Sequence, residues 1–134
     1  MKQIIAERVP AGTSLLTAEK TYIPIIVSPD NSSFTIQNHG TAAAPCAVTI
    51  IPDNDIMRLE IAGLTEEPVI INSLMRGDTL IIDGVNRTIT INGLESYDKY
   101  NGWEFPKLKS GRNDIKITNA SAMLINIEYQ PRYI

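Results

Sequence analysis

The chain has 134 residues and a formal net charge of −3, enough polypeptide for one domain that buries roughly two-thirds of its unfolded surface. Twelve basic against fifteen acidic residues leave no electrostatic footprint for a phosphate backbone, so no nucleic-acid partner is expected. A single cysteine excludes an intramolecular disulfide and a thiolate metal cluster, and no stretch reaches the ~18 apolar residues of a membrane span, which excludes membrane insertion by a helix.

In chain order, residues 1–20 hold only the short apolar run Ile4-Ile5 before Glu7 and Arg8. That is not the apolar stretch of a secretory signal, so the expectation is a protein made and kept in a cytoplasm. Arm, strand and short helix all stay open for this segment, and the expected division is an N-terminal arm or linker over 1–20 followed by one domain over 21–134. Beyond it, 21 isoleucines and 11 threonines favour strands, because β-branched side chains fit a pleated, half-buried surface. Apolar runs recur at 22–27, 34–38, 47–51, 57–61, 69–72, 79–83, 88–92, 114–118 and 122–129. Strands at this spacing read as a sandwich or barrel, and the fold expected is all-β, an antiparallel β-sandwich. Cys46 falls just before the third run and is expected to be a small core hydrophobe.

The separators carry turn chemistry. Pro29-Asp30-Asn31, Asn38-His39-Gly40, Pro52-Asp53-Asn54, Asp83-Gly84, Asn92-Gly93 and Ser110-Gly111 supply preset or positive φ where the chain must reverse. Run 79–83 is expected to form a hairpin with 88–92, where Ile89 and Ile91 alternate with Thr88 and Thr90. A second hairpin is expected between 114–118 and 122–129. In it, Ile115 and Ile117 face Met123, Ile125, Ile127 and Tyr129 across the core, with Lys116, Asn126 and Glu128 in water.

No motif of catalysis emerges. The lone histidine, His39, is explained by its turn and has no second His or Cys near it to complete a zinc site or activate a nucleophile. There is no G-x-S-x-G elbow, P-loop or G-x-G-x-x-G. Asp53-Asn54-Asp55 imitates the start of a calcium loop, but Met57 and Leu64 occupy the positions of the fifth ligand and the bidentate glutamate, so the segment is read as a turn. Glu95, Asp98 and Glu104 are close enough in sequence to be weighed as a carboxylate pair for glycoside hydrolysis, and their polar loop argues for solvated surface acids instead. No catalytic residue, metal or cofactor is expected.

The segment 97–105 stands apart. It concentrates Tyr97, Tyr100, Trp103 and Phe105, interleaved with Asp98 and Asn101. Such rings suit a protein hot spot or stacking under a sugar, and Tyr97, Asp98, Tyr100, Asn101 and Trp103 form the candidate binding surface. The alternative is that Trp103 and Phe105 point inward as core.

The second half adds a resemblance. Gly77-Asp78-Thr79, Arg87-Thr88-Ile89-Thr90-Ile91-Asn92-Gly93, Phe105-Pro106-Lys107-Leu108 with Gly111-Arg112-Asn113-Asp114-Ile115, and Tyr129-Gln130-Pro131-Arg132-Tyr133-Ile134 stand in order. This series resembles the C-terminal domain of the distal tail (Dit-like, siphovirus tail component) family of long-tailed phages. The resemblance implies a galectin-like or carbohydrate-binding-module-like jelly roll that decorates the hub between tail tube and baseplate. It implies a non-enzymatic structural and interaction module of a phage or prophage tail tip. Its partners would be other tail or baseplate proteins or the host surface, and its place the virion tail, assembled in the bacterial cytoplasm. A carbohydrate-binding module for bacterial surface polysaccharide is the alternative. The complete family protein has a ring-forming N-terminal half with no counterpart here, so ring formation is not carried over; an excised C-terminal domain and a short relative both fit. The galectin signatures H-x-N-P-R and W-G-x-E are absent, since Gly40 follows His39 and Glu104 follows Trp103, so a galectin-like fold would not imply galactoside binding.

Overall fold

The computed structural model describes residues 20–101, 104–119 and 121–133. All but the last residue of the expected arm over 1–20 lies outside the described residues. The elements are β1 (Thr21–Val27), β2 (Ser33–Asn38), β3 (Ala44–Pro52), β4 (Ile56–Ala62), β5 (Val69–Leu74), β6 (Leu80–Asp83), β7 (Thr88–Ile91), β8 (Leu94–Glu95), a 3-10 turn (Tyr97–Lys99), β9 (Tyr100–Asn101), β10 (Lys107–Leu108), β11 (Gly111–Thr118) and β12 (Met123–Tyr129). Every expected strand is present. Sequence reading missed β8, β9 and β10, which are two residues long and carry no alternation to read.

Two antiparallel sheets form the sandwich. One runs β1-β12-β3-β6-β7-β8, with β10 also paired to β3, and the other runs β2-β11-β4-β5-β9. Period-2 alternation sends one face of each strand inward. Ala44, Cys46, Val48 and Ile50 of β3 and Met123, Ile125, Ile127 and Tyr129 of β12 are buried from the first sheet. Ile36, Leu59, Ile61, Ile71, Ile115 and Ile117 are buried from the second. Each buried Val, Leu, Ile or Met among them contributes about 1.5–3 kcal/mol relative to exposure, and together they hold the sheets face to face. Pro24 sits in β1, the end strand of its sheet among the described residues, where a residue without an N–H is tolerated and further strand addition is discouraged. Cys46 is a core residue as expected, and burial pushes its thiol up to about 12.

The hairpin of β6 with β7 forms in the register Leu80↔Ile91, Ile81↔Thr90, Ile82↔Ile89. The second expected hairpin does not. β11 pairs with β2 and β4, whereas β12 pairs with β1 and β3 in the opposite sheet. Ile115 and Ile117 are buried, as are Met123, Ile125 and Ile127, but they enter the core from opposite sheets, the chain passing from one sheet to the other just after Asn119, which takes a positive φ of 63°. Alternation fixes which face a strand buries and leaves its hydrogen-bonding neighbour unspecified.

Gly84 also has a different cause from the one expected. The positive φ in that turn belongs to Arg87, at 58°. Gly84 is there because a Cβ would lie 2.2 Å from the carbonyl oxygen of Pro106 and 2.6 Å from that of Cys46. Three backbones converge at this point, and the Gly84 amide donates to the Cys46 carbonyl at 2.9 Å while the Cys46 amide donates to Pro106 at 3.1 Å.

Candidate functional site

The aromatic segment is a strap between the two sheets. β8 ends the first sheet at β7, the 3-10 turn Tyr97–Lys99 packs against both β5 and β7, and β9 then joins the second sheet beside β5. This closure divides the expected binding surface. Tyr97 is 45% exposed and its hydroxyl donates to the Glu95 carboxylate at 3.2 Å. Local desolvation, and then that carboxylate, raise its phenol above the ordinary value. Asp98 is exposed beside it. Tyr100 turns the other way: it is half-buried, stacks on Phe105 with centroids 5.8 Å apart, and donates its hydroxyl to the Glu104 carbonyl. Burial, with help from Glu104, raises its phenol too. Asn101 pairs with Ile70 through the backbone of β9. Trp103 lies outside the described residues. The structure thus keeps Tyr97 and Asp98 together at the surface and gives Tyr100 to the core margin.

Of the carboxylates weighed for hydrolysis, Glu104 and Glu95 serve local structure. Glu104 accepts the amides of Glu66 and Glu67 at 3.1 and 3.4 Å, and Glu95 accepts Tyr97. At the polar loop ends, Asp55 accepts the Arg76 amide at 2.8 Å and Asn54 donates to Ser121 at 3.2 Å, binding neighbouring loops together. His39 is exposed in its turn, and the buried Asn38 beside it accepts the Gly40 amide at 2.9 Å. Among the described residues no group of three His, Cys, Asp or Glu side chains is placed to hold a metal ion.

A concavity lies elsewhere, on the outer face of the first sheet. It is an open groove of about 690 Å3 lined by Lys20, Ala47, Asp83, Asn86, Glu128 and Tyr133 among others. Glu128, Ala47 and Asp83 are register partners across β12, β3 and β6, so they form one row of its floor. Asp83 accepts the amides of Val85 and Asn86 at 2.9 and 3.1 Å and the Asn86 side chain at 2.8 Å. Partial burial opposes its charge, but these hydrogen bonds, with Lys20 nearby, outweigh it and hold the carboxyl below the usual range. Lys20 pairs with Glu128 at 3.1 Å, which raises the lysine above its ordinary value. Sequence reasoning missed this groove because its residues come from distant segments, and no local motif announces it.

The residues of the motif series occupy joints of the sandwich. Asp78 accepts the amide of Met75 at 2.9 Å and the side chain of Asn92 at 3.0 Å, while Asn92 accepts the Thr79 amide at 2.9 Å. Asn92 and Gly93 take the positive φ values of 53° and 84° that a tight hairpin turn requires. The Arg87 guanidinium lies 5.1 Å from the centroid of the Phe105 ring. Asn113 is buried and ties Lys109, Gly111 and Ile36 together, and the Arg132 carbonyl accepts the Thr41 amide at 2.8 Å. These residues share a structural duty, the closing of turns and the locking of strand ends.

Comparison with known proteins agrees with this arrangement. No curated protein matches the chain. Among solved structures, the crystal structure of the phage SPP1 Dit protein (gp 19.1), described as a paradigm of the hub adsorption apparatus in Gram-positive-infecting phages, superposes with a TM-score of 0.61 at 12% identity. The superposition covers 82% of this chain and 47% of the SPP1 chain, so the likeness is one of fold and this chain spans about half the length of that protein. The profile of the siphovirus-type tail component, C-terminal domain, matches residues 39–133, which include every motif described above except the final Ile134. The chain belongs to that family, the C-terminal domain of siphovirus-type tail components.

Proposed function

We propose that this chain is a non-enzymatic structural and interaction module of a phage or prophage tail tip. It projects from the tail hub to contact baseplate proteins or the host surface, and it resides in the virion tail after assembly in the bacterial cytoplasm. The observation that carries this reading is the family match over 39–133 on a rigid sandwich. The architecture adds support: motif residues are spent on joints, and exposed groups such as Tyr97 and Asp98 are carried on connections between strands, where a rigid scaffold presents contact residues.

Co-expression with the other tail proteins of the same phage tests the proposal. The chain should enter a complex with a hub or baseplate protein, and recovery of the chain alone under conditions where the rest of the tip assembles would oppose it. A second function, adsorption to bacterial surface polysaccharide, is favoured by the groove on the first sheet. The candidate surface of Tyr97, Asp98, Tyr100, Asn101 and Trp103 is kept as a proposal for a protein partner, with Tyr97 and Asp98 exposed and Tyr100 supporting the strap.

A further inference from the structure

We infer that the groove over β12, β3 and β6 binds a neutral saccharide of a bacterial surface polymer, an inference that rests on the host-contact part of the proposed function. Its volume of about 690 Å3 is that of a small-ligand site. The chemistry of the lining then narrows the occupant. Two bases, Lys20 and Arg132, and two acids, Asp83 and Glu128, line the groove, so the charged groups cancel in sum. An anionic ligand would meet two carboxylates and a cationic one two bases, whereas hydroxyl groups find acceptors and donors side by side.

The acceptors are also held in place. Asp83 is fixed by three hydrogen bonds from Val85 and Asn86, and Glu128 by Lys20. Ordering that folding has already achieved is not charged against binding. Between the two acids stands Ala47, whose small side chain leaves depth in the floor, with Ala43, Pro45 and the half-exposed ring of Tyr133 as apolar surface for the C–H face of a sugar ring. The floor consists of paired strands, which hold geometry better than loops.

The topology weighs against an extended peptide. A peptide that adds to a sheet needs an open strand edge. Here β12 lies between β1 and β3, β3 between β12 and β6, and β6 between β3 and β7. Their backbone groups are turned to one another over most of the floor, so the groove offers side chains.

The test applies the full chain to an array carrying neutral, acidic and basic bacterial oligosaccharides together with extended peptides. Neutral saccharides should be retained, and Ala47→Arg, which fills the floor from an outward-facing position, and Tyr133→Ala should each weaken binding at least tenfold with unchanged melting temperature. Met57→Ala, at an exposed position on β4 of the opposite sheet, should leave it unaltered. Tyr133→Ala decides the matter if Ala47→Arg fails to fold. Absence of neutral saccharide binding, a preference for acidic saccharides or peptides, or binding that survives Tyr133→Ala would overturn the inference. Measuring entry of the same variants into the tail complex separates the two readings. A groove that fails while assembly proceeds removes the saccharide site alone.

Discussion

Asn113→Ala removes the most heavily bonded side chain in the motif series. Asn113 is 4% exposed. Its Oδ1 accepts the Lys109 amide at 2.9 Å, and its Nδ2 donates toward Lys109 at 2.9 Å, Gly111 at 3.1 Å and Ile36 at 3.4 Å. Two N–H groups cannot serve three carbonyls fully, so about three effective bonds are lost. At roughly 1 kcal/mol net each, with a partly buried amide left unmade, the loss comes to about 3 kcal/mol, or a fall of roughly 10 °C in Tm. Urea denaturation followed by tryptophan fluorescence or circular dichroism measures it, with an unchanged slope expected because the folded state keeps its compactness. Asn113→Asp should do at least as much damage at pH 7, since it sets a carboxylate against the same carbonyls. A loss below about 1 kcal/mol for Asn113→Ala would refute the claim that this residue locks β11 to the segment before it.

Four further outcomes follow from the geometry. Tyr100→Ala should cost about 2 kcal/mol through loss of the stack on Phe105, while Tyr97→Ala should change stability by under about 0.5 kcal/mol, both by chemical denaturation. Gly84→Ala should cost about 3 kcal/mol or more, because the added methyl meets backbone on two sides; a melting curve like that of the parent would refute this. Asp83→Asn should lower Tm at neutral pH. The Asp83 pKa is depressed in the folded chain, so its contribution is complete above the ordinary carboxylate value of about 3.9 and is lost as pH falls through the lower folded-state value; the difference in Tm between the two proteins should close over that acid window. Cys46 should resist a thiol reagent at pH 8 until denaturant is added, and rapid native labelling would contradict its burial.

What the sequence made legible follows from the range of each signal. Strand alternation is local, so β6 and β7 were readable as a hairpin, and the Asn92-Gly93 turn that leads out of β7 was readable from its residue types. Pairing between sheets is not local. Ile115 and Met123 both announce an inward face, yet nothing in a period of two says that β11 belongs with β2 and β4. The aromatic segment shows the same limit on a smaller scale: Tyr97 and Tyr100 are three residues apart and similar in chemistry, and only the strap geometry sends one to solvent and the other onto Phe105. Gly84 reads locally as a turn residue, and the close approach of Pro106 and Cys46 that requires it depends on long-range packing. The groove was illegible for that reason as well, since Lys20, Ala47, Asp83 and Glu128 meet only through strand order. The resemblance carried by 77–134 was readable because its turn and joint residues recur at fixed spacing, and structure explains that spacing as the demands of tight turns and buried amides.

The position of the chain on an intact particle tests the central claim most directly. A gold-labelled antibody raised against residues 20–133 and applied to purified phage should mark the distal end of the tail in electron micrographs. Label on the capsid, along the tail shaft, or absent from particles that contain the rest of the tail would contradict a tail-tip module.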